Sequence, residues 1–389
     1  MTTKDCLPGL PEGVISRSLL VRDLDIHILE AGKRDAPLLL LLHGFPELAY
    51  SWRKVLVPLA NLGYHVVAPD QRRYGCTKPY DASAPGATRL VRFEDDFRPY
   101  GMMNLARDVV ALVYTLGHKS VAALIGHDFG SLIAGNCVIA RPDLFERVVF
   151  MSAPYNGPSP TSSPAGTIAS IMNLLKGAQP PRKHYMTYFS GPTANADMLR
   201  APQGLHDFLR AYIHAKSGDW AESGASPHYI PMTSEGLATL PPYYIMPADE
   251  TMAEVARECA PSAEEVNTKS SKWLPESELG VYVSEYARTG FQGGLNWYRS
   301  LLSDELNDEL SLFAGRRIEV PAMYIAGMQD WGTFQMPGAL DKMQTQTCTR
   351  MDDGDVVRIE GAGHWVQQEK PERVVDEIAR FLKKQRDQR

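Results

Sequence analysis

The chain has 389 residues, of which 44% are apolar and 22% charged, a balance that builds a sizeable core and excludes a disordered or fibrous protein. A formal net charge of −6 gives no overall attraction to nucleic acid or to an anionic membrane. The longest apolar run, Pro37–Leu42, is far too short to span a bilayer.

The first half alternates strand and helix signals. Ser18–Glu30 reads as an opening hairpin. "PLLLLLHG", ending at Gly44, and "YHVVAPD" (64–70) read as strands buried on both faces. Met103–Leu116 has helical spacing, "SVAALIG" (120–126) is a third buried strand, Ser131–Ala140 a helix stopped before Pro142, and "RVVFMSAP" (147–154) a fourth strand. Such alternation implies a parallel sheet with helices on both faces. The polar stretch Asp81–Asp96 reads as an extra surface loop.

From Tyr155 to about Arg316 the alternation breaks into Pro/Ser/Gly-rich stretches and helical segments with no convincing parallel strand. It resumes with "EVPAMYIAG" (319–327), a helical Pro337–Met343, "DVVRIEG" (355–361) and an amphipathic helix over Pro371–Lys383. The expected organisation is an α/β domain, 1–154 and 317–389, interrupted by a mostly helical insertion, 155–316.

Cys6, Cys76, Cys137, Cys259 and Cys348 are widely spaced, odd in number and form no CxxC pair. They read as reduced thiols of an intracellular protein, with neither a disulfide framework nor a metal site. The opening "MTTKDCLPGLPEG" lacks the apolar run of a secretory leader, and the closing "KKQRDQR" carries no retention or peroxisomal signal. A cytoplasmic protein is expected.

Three positions carry candidate chemistry. Gly126-His127-Asp128-Phe129-Gly130 has the Gly-x-nucleophile-x-Gly form of a sharp strand-to-helix turn, with Asp where hydrolases of this type usually place Ser. By itself Asp128 fits a helix N-cap equally well. His364 and Asp330 follow the strands 355–361 and 319–327, on the same C-terminal sheet edge. Asp352, Asp353 and Asp355 precede their strand and belong to the opposite edge. The chain order Asp128, Asp330, His364 is that of nucleophile, acid and base in α/β hydrolases. A carboxylate, ionised at neutral pH with a reference pKa of about 4, attacks saturated carbon without prior deprotonation.

With "HGFPE" at 43–47, "GHDFG" at 126–130, "GHW" at 363–365, "HYMTYF" at 184–189 and "TGFQGGLNWYR" at 289–299, the chain resembles the α/β-hydrolase-fold epoxide hydrolases over nearly its whole length. The resemblance implies an α/β-hydrolase core with a mostly parallel central sheet and a mainly helical cap inserted after the strand ending near 153. It implies Asp128 as nucleophile, Asp330 as orienting acid, His364 as base, Tyr185 and Tyr298 as cap phenols on the epoxide oxygen, and the backbone N–H groups of Phe45 and Phe129 as oxyanion hole. His43, Gly44 and Pro46 would support the site, Pro46 through a cis peptide, while Glu47 and His127 would support the loop and turn. Trp331, Trp365 and Phe189 are candidate pocket residues. The substrates implied are a small epoxide and water, with no cofactor or metal; a homodimer is the macromolecular assembly considered.

Two positions depart from the family pattern. Arg73 stands in "QRRYG" and Ser131 follows the turn, where the family commonly has Gly. Neither bears a catalytic role. A haloalkane dehalogenase would share the nucleophile, but its halide leaving group calls for N–H donors, and Phe129 stands where such enzymes usually carry Trp. No Arg lies between Phe129 and Ala140 to hold a haloacid carboxylate. A non-catalytic binding protein of the same fold would usually lack one of the three triad members.

Overall fold

The computed structural model describes residues 7–82, 89–159, 163–220 and 227–386. Its strands are β1 (Ile15–Val21), β2 (Leu24–Ala31), β3 (Leu38–Leu42), β4 (His65–Pro69), β5 (Lys78–Pro79), β6 (Ala123–His127), β7 (Val148–Met151), β8 (Arg182–His184), β9 (Ile245–Pro247), β10 (Ala322–Gly327) and β11 (Val356–Ile359). The unbroken apolar runs of β3, β4, β6, β7 and β10 are buried along their whole length, because helices cover both faces of the sheet they build.

Nine of the described strands form one sheet in the order β1-β2-β4-β3-β6-β7-β10-β11, with β5 paired to β2. The β1–β2 hairpin and the β2–β4 pair are antiparallel, while every pair from β4 to β11 is parallel. The chain goes from β3 outward to β4, then returns to place β6 on the other side of β3. That reversal is a topological switch point, where the loops after β3 and β6 diverge and leave a crevice at the carboxyl edge. Leu42 pairs with Gly126, so the loop carrying Gly44 and Phe45 lies level with the turn carrying Asp128.

Between β7 and β10 the chain leaves the sheet. Its described elements there are short helices and the small antiparallel β8–β9 pair. The helices that matter for the site are Tyr185–Phe189, Leu205–Ala215 and Gln292–Leu301. Local signals define several of their neighbours: Thr251 with Glu254 and Ser262 with Glu265 form reciprocal capping boxes. The insert is bonded to the core at several points. Trp365 Nε1 donates to Ile213 O at 2.7 Å, Ser300 Oγ to Tyr100 O at 2.8 Å, and Arg53 pairs with Glu278.

The final helix, Pro371–Arg386, packs on the helix Arg53–Asn61. In the region read as helical over Pro337–Met343, an α-helix spans Ala339–Lys342 and a π-helical turn continues to Thr347. Within the Asp81–Asp96 stretch, residues 83–88 lie outside the described residues. Asp352 and Asp355 are bound by Lys384 away from the site, as their position before β11 requires. No helix among the described residues is long and apolar enough to cross a membrane.

One reading is corrected. Cys76 is disulfide-bonded, whereas Cys137 and Cys348 are free. Wide spacing in sequence does not measure separation in the fold, which alone decides whether two cysteines can bond. The expectation of five reduced thiols falls, and with it that support for a cytoplasmic location.

Candidate active site

β6 ends at His127, and the next residue turns sharply into the helix Phe129–Ala140. Asp128 sits at the turn with φ 52°, a left-handed conformation that costs a non-glycine residue about 1–3 kcal/mol and persists only where the surroundings enforce it. The flanking glycines permit the turn. A Cβ on Gly126 would lie 2.2 Å from Gly130 O, and one on Gly130 2.2 Å from Leu42 O. Asp128 makes no side-chain cap bond to the helix it precedes. Its Oδ1 instead accepts the Phe45 N–H at 3.0 Å, across the switch-point crevice.

Asp330 follows β10 and His364 follows β11. His364 Nδ1 bonds Asp330 Oδ1 at 3.0 Å, and Asp330 Oδ1 also accepts the Gly332 N–H at 2.7 Å. His364 Nε2 lies 3.5 Å from Asp128 Oδ2 and makes no hydrogen bond among the described residues. Asp330 and His364 are both buried, while the Asp128 side chain keeps 14% of its surface exposed.

Burial pushes the Asp128 carboxyl up, but the close approach and charge of His364, with Lys216 and His127, outweigh it and hold the group well below the usual carboxylate range. Burial opposes the charged form of His364 as well; the charge of Asp330, the contact with Asp128 and the bond to Asp330 nevertheless raise it to about 9. The two side chains therefore form an ion pair at neutral pH.

The second half of the site comes from the insert. Tyr185 opens its short helix after β8, and Tyr298 lies on Gln292–Leu301. Their rings are edge-to-face, centroids 5.9 Å apart, and Tyr298 packs against Phe45, Phe129 and Phe189. The Tyr185 hydroxyl donates to Gln335 Oε1 at 3.1 Å. Burial pushes both phenols well above their ordinary pKa, with the Asp128 charge adding to it, so both keep their protons.

Asp128, Tyr185 and Tyr298 are among the residues lining a cavity of about 750 Å³. Its walls include Met102, Leu132, Ile168, Met186 and Leu301, and Asp304, Asp308 and Lys342 also border it. An apolar chamber with a few convergent polar groups is the usual form of a small-molecule site.

Behind this surface His43 Nε2 accepts the Gln71 N–H at 3.1 Å, and Nδ1 lies 2.9 Å from Gly44 O. The Phe45–Pro46 peptide is cis. Glu47 does more than shape its loop. It accepts the Gly44 N–H, bonds His127 Nδ1 and is reached by the side-chain amides of Gln367 and Gln368. His127 Nε2 in turn donates to His364 O at 2.7 Å, so one buried carboxylate ties the loops of Phe45, Asp128 and His364 together.

The three pocket candidates lie in the surrounding packing. Among the described residues, neither Trp331, Trp365 nor Phe189 lines the cavity. Trp331 packs against His228, Trp365 turns its N–H to Ile213 O, and Phe189 lies behind Tyr185 and Tyr298. Gln335 and Lys216 were not foreseen. The tyrosines of "LPPYYIMP" around Lys216 were the available signal, but only the fold shows that their rings converge.

Residues 37–175 match the family model described as alpha/beta hydrolase fold. The chain is 31% identical to epoxide hydrolase A of Mycobacterium tuberculosis over 92% of its own length and 94% of that protein. It is an epoxide hydrolase family member. Epoxide hydrolase 3 of Siraitia grosvenorii is 27% identical over 93% of this chain and 96% of its own. Among solved structures, an epoxide hydrolase from an endophytic Streptomyces matches with a TM-score of 0.74 at 28% identity, covering 97% of both chains. Epoxide hydrolase A from Mycobacterium thermoresistibile matches with a TM-score of 0.72 at 29% identity, over 95% of this chain and 98% of that one.

Proposed function

We propose that the chain hydrolyses epoxides to vicinal diols through an ester on Asp128. The observation that carries this reading is that one carboxylate, Asp128, and two protonated phenols, Tyr185 and Tyr298, line the same mainly apolar cavity. Residues 155–316 serve as the cap between core segments 1–154 and 317–389.

The carboxylate of Asp128 attacks a ring carbon, forming a C–O ester bond as the ring C–O bond breaks. The ring oxygen takes a proton from one phenol, which is replenished from the His364 imidazolium through solvent. His364 is then neutral. Oriented by Asp330, it takes a proton from water, and the hydroxide adds to the ester carbonyl carbon. The oxyanion of that adduct is held by the N–H groups of Phe45 and Phe129, each such donor contributing about 2.7–4 kcal/mol. Collapse releases the alcohol oxygen of the diol, which takes the remaining proton, and leaves Asp128 ionised beside a protonated His364. The 3.0 Å approach of the Phe45 N–H to Asp128 Oδ1 supports the oxyanion assignment.

A halide leaving group would call for indole N–H donors facing the cavity, and no Trp is among its described lining residues. That favours the epoxide over the haloalkane.

The test uses His364→Ala, in which the ester should form and persist. The variant is mixed separately with styrene oxide, methyl 9,10-epoxystearate and 1-chlorohexane, and its intact mass and peptide map are recorded. A gain of one whole epoxide on the peptide carrying Asp128 is expected. A gain only from the chloroalkane, lighter than the reagent by hydrogen chloride, would overturn the substrate class; an epoxide adduct elsewhere would overturn the nucleophile.

A further inference from the structure

Lys216 follows the helix Leu205–Ala215 and is 5% exposed, with no ion pair among the described residues. Its ammonium lies over four phenol rings: Tyr244 at 4.8 Å, Tyr212 at 5.1 Å, Tyr243 at 5.4 Å and Tyr185 at 5.9 Å. Burying a cation without a carboxylate in contact is costly, and the negative faces of aromatic rings offset only part of that. The charges it does feel, Asp128 and Asp330, are the two that flank His364.

The same residue grips the loop of the imidazole by its backbone. Lys216 O accepts the His364 N–H at 2.8 Å. Two residues on, the Gly218 N–H donates to Glu369 Oε2 at 2.8 Å, and Glu369 also accepts the N–H groups of Gly363 and Trp365, each at 3.0 Å. Backbone bonds therefore hold the Lys216 and His364 main chains together, and the four rings hold the ammonium.

We infer that Lys216 is a positioning residue for the second half of the reaction: a caged ammonium whose charge keeps His364 able to take a proton once Asp128 has become an ester. This rests on the Asp128 ester of the reading above. Two carboxylates hold a proton on His364 in the free enzyme, and an imidazolium is no base. Esterification removes the charge of Asp128 while Asp330 goes on favouring the imidazolium. Lys216 opposes Asp330 from the insert side, pulling His364 down as it also holds Asp128 ionised. Burial lowers Lys216 itself to about 8 in the free enzyme, while Asp128 and Asp330 hold it up. The other ionisable groups facing His364 are His127, 4.9 Å between ring centroids, with Glu47 bonded behind it, and Glu369, which burial raises to about 7. These stay in place when Lys216 is replaced.

The test measures ester formation and ester hydrolysis separately by rapid quench, using whichever of styrene oxide and methyl 9,10-epoxystearate labels His364→Ala. In Lys216→Met, ester hydrolysis at pH 7 is expected to fall about tenfold and its acidic limb to move up by about one pH unit. The first-turnover burst should remain, the ester should accumulate and KM should fall with kcat. Lys216→Arg should restore the limb.

An unshifted limb in Lys216→Met overturns the inference, as does an equal loss of both steps that Lys216→Arg does not rescue. If Lys216→Met does not fold, Lys216→Gln takes its place. Failure of both neutral variants to fold while Lys216→Arg folds also overturns it, because the charge would then serve the fold. No ester on Asp128 in His364→Ala sinks the earlier reading, whereas an ester turned over normally by Lys216→Met sinks only this one.

Discussion

The sheet edge and the helical insert hold their chemical groups by different means. Asp128, Asp330 and His364 stand just past the ends of β6, β10 and β11, so the backbone ladder of the sheet sets their separations. Tyr185 and Tyr298 ride on short helices and are held by rings packed edge-to-face, with one hydroxyl bonded to Gln335. The core places charges, which must be aligned with donors and ion partners. The insert places neutral phenols and one caged ammonium, for which burial matters more than a fixed ladder. Rigid backbone suits the first task and side-chain packing the second.

The largest expected effect comes from the core. Asp128→Ala should reduce kcat by at least about 10⁴-fold, as loss of a covalent nucleophile does, with circular dichroism unchanged. Diol formation at the wild-type rate would refute the assignment. Next is the insert. Replacing Tyr185 and Tyr298 together by Phe should slow ester formation by about 10²–10⁴-fold in single-turnover experiments, the range of general-acid catalysis, and hardly change the hydrolysis of an ester already formed. A double variant that alkylates normally would mean the phenols only pack.

The charged pair also has a pH signature that the phenols lack. The His364 pKa is raised from 6.5 to about 9 in the fold, so its contribution to stability is full below about pH 6.5 and is lost as pH rises through 9. The Tm gap between wild type and His364→Gln should therefore narrow by a few degrees between pH 6 and 10. A gap that widens with pH would contradict the ion pair.

The smallest effect tests the seam between the two regions. Trp365→Phe removes the N–H that bonds Ile213 O and should cost about 1–3 kcal/mol, read as a lower Tm, because a buried carbonyl is left unpaired. An unchanged Tm would show that this bond does not help hold the insert to the core.

Much of the core could be read from residue order alone. Runs such as Leu38–Leu42 and Ala123–His127 have no polar alternation, which only a covered parallel strand accommodates, and the loops after them mark one sheet edge. Asp128, Asp330 and His364 were legible because each follows such a run. Tyr185 and Tyr298 were not readable from periodicity, since 17 tyrosines share the same packing chemistry, and only motif resemblance singled them out. Trp331, Trp365 and Phe189 are not among the described lining residues of the cavity, because an aromatic next to a site residue in sequence need not face it. Lys216 and Glu47 went unrecognised in their full roles because their partners are far along the chain, from Tyr185 to Tyr244 and from His127 to Gln368.

The succession of strands along the chain, the sharp turn at Asp128 and the chemical types brought to one sheet edge were readable from residue order, since these follow from local patterns of apolar residues and glycine. Which aromatic rings face the cavity, which loops Glu47 ties together and where the Lys216 ammonium finds its cage of phenol rings came from the fold. Those depend on contacts between distant segments, whose geometry is set by packing and not by any local spacing.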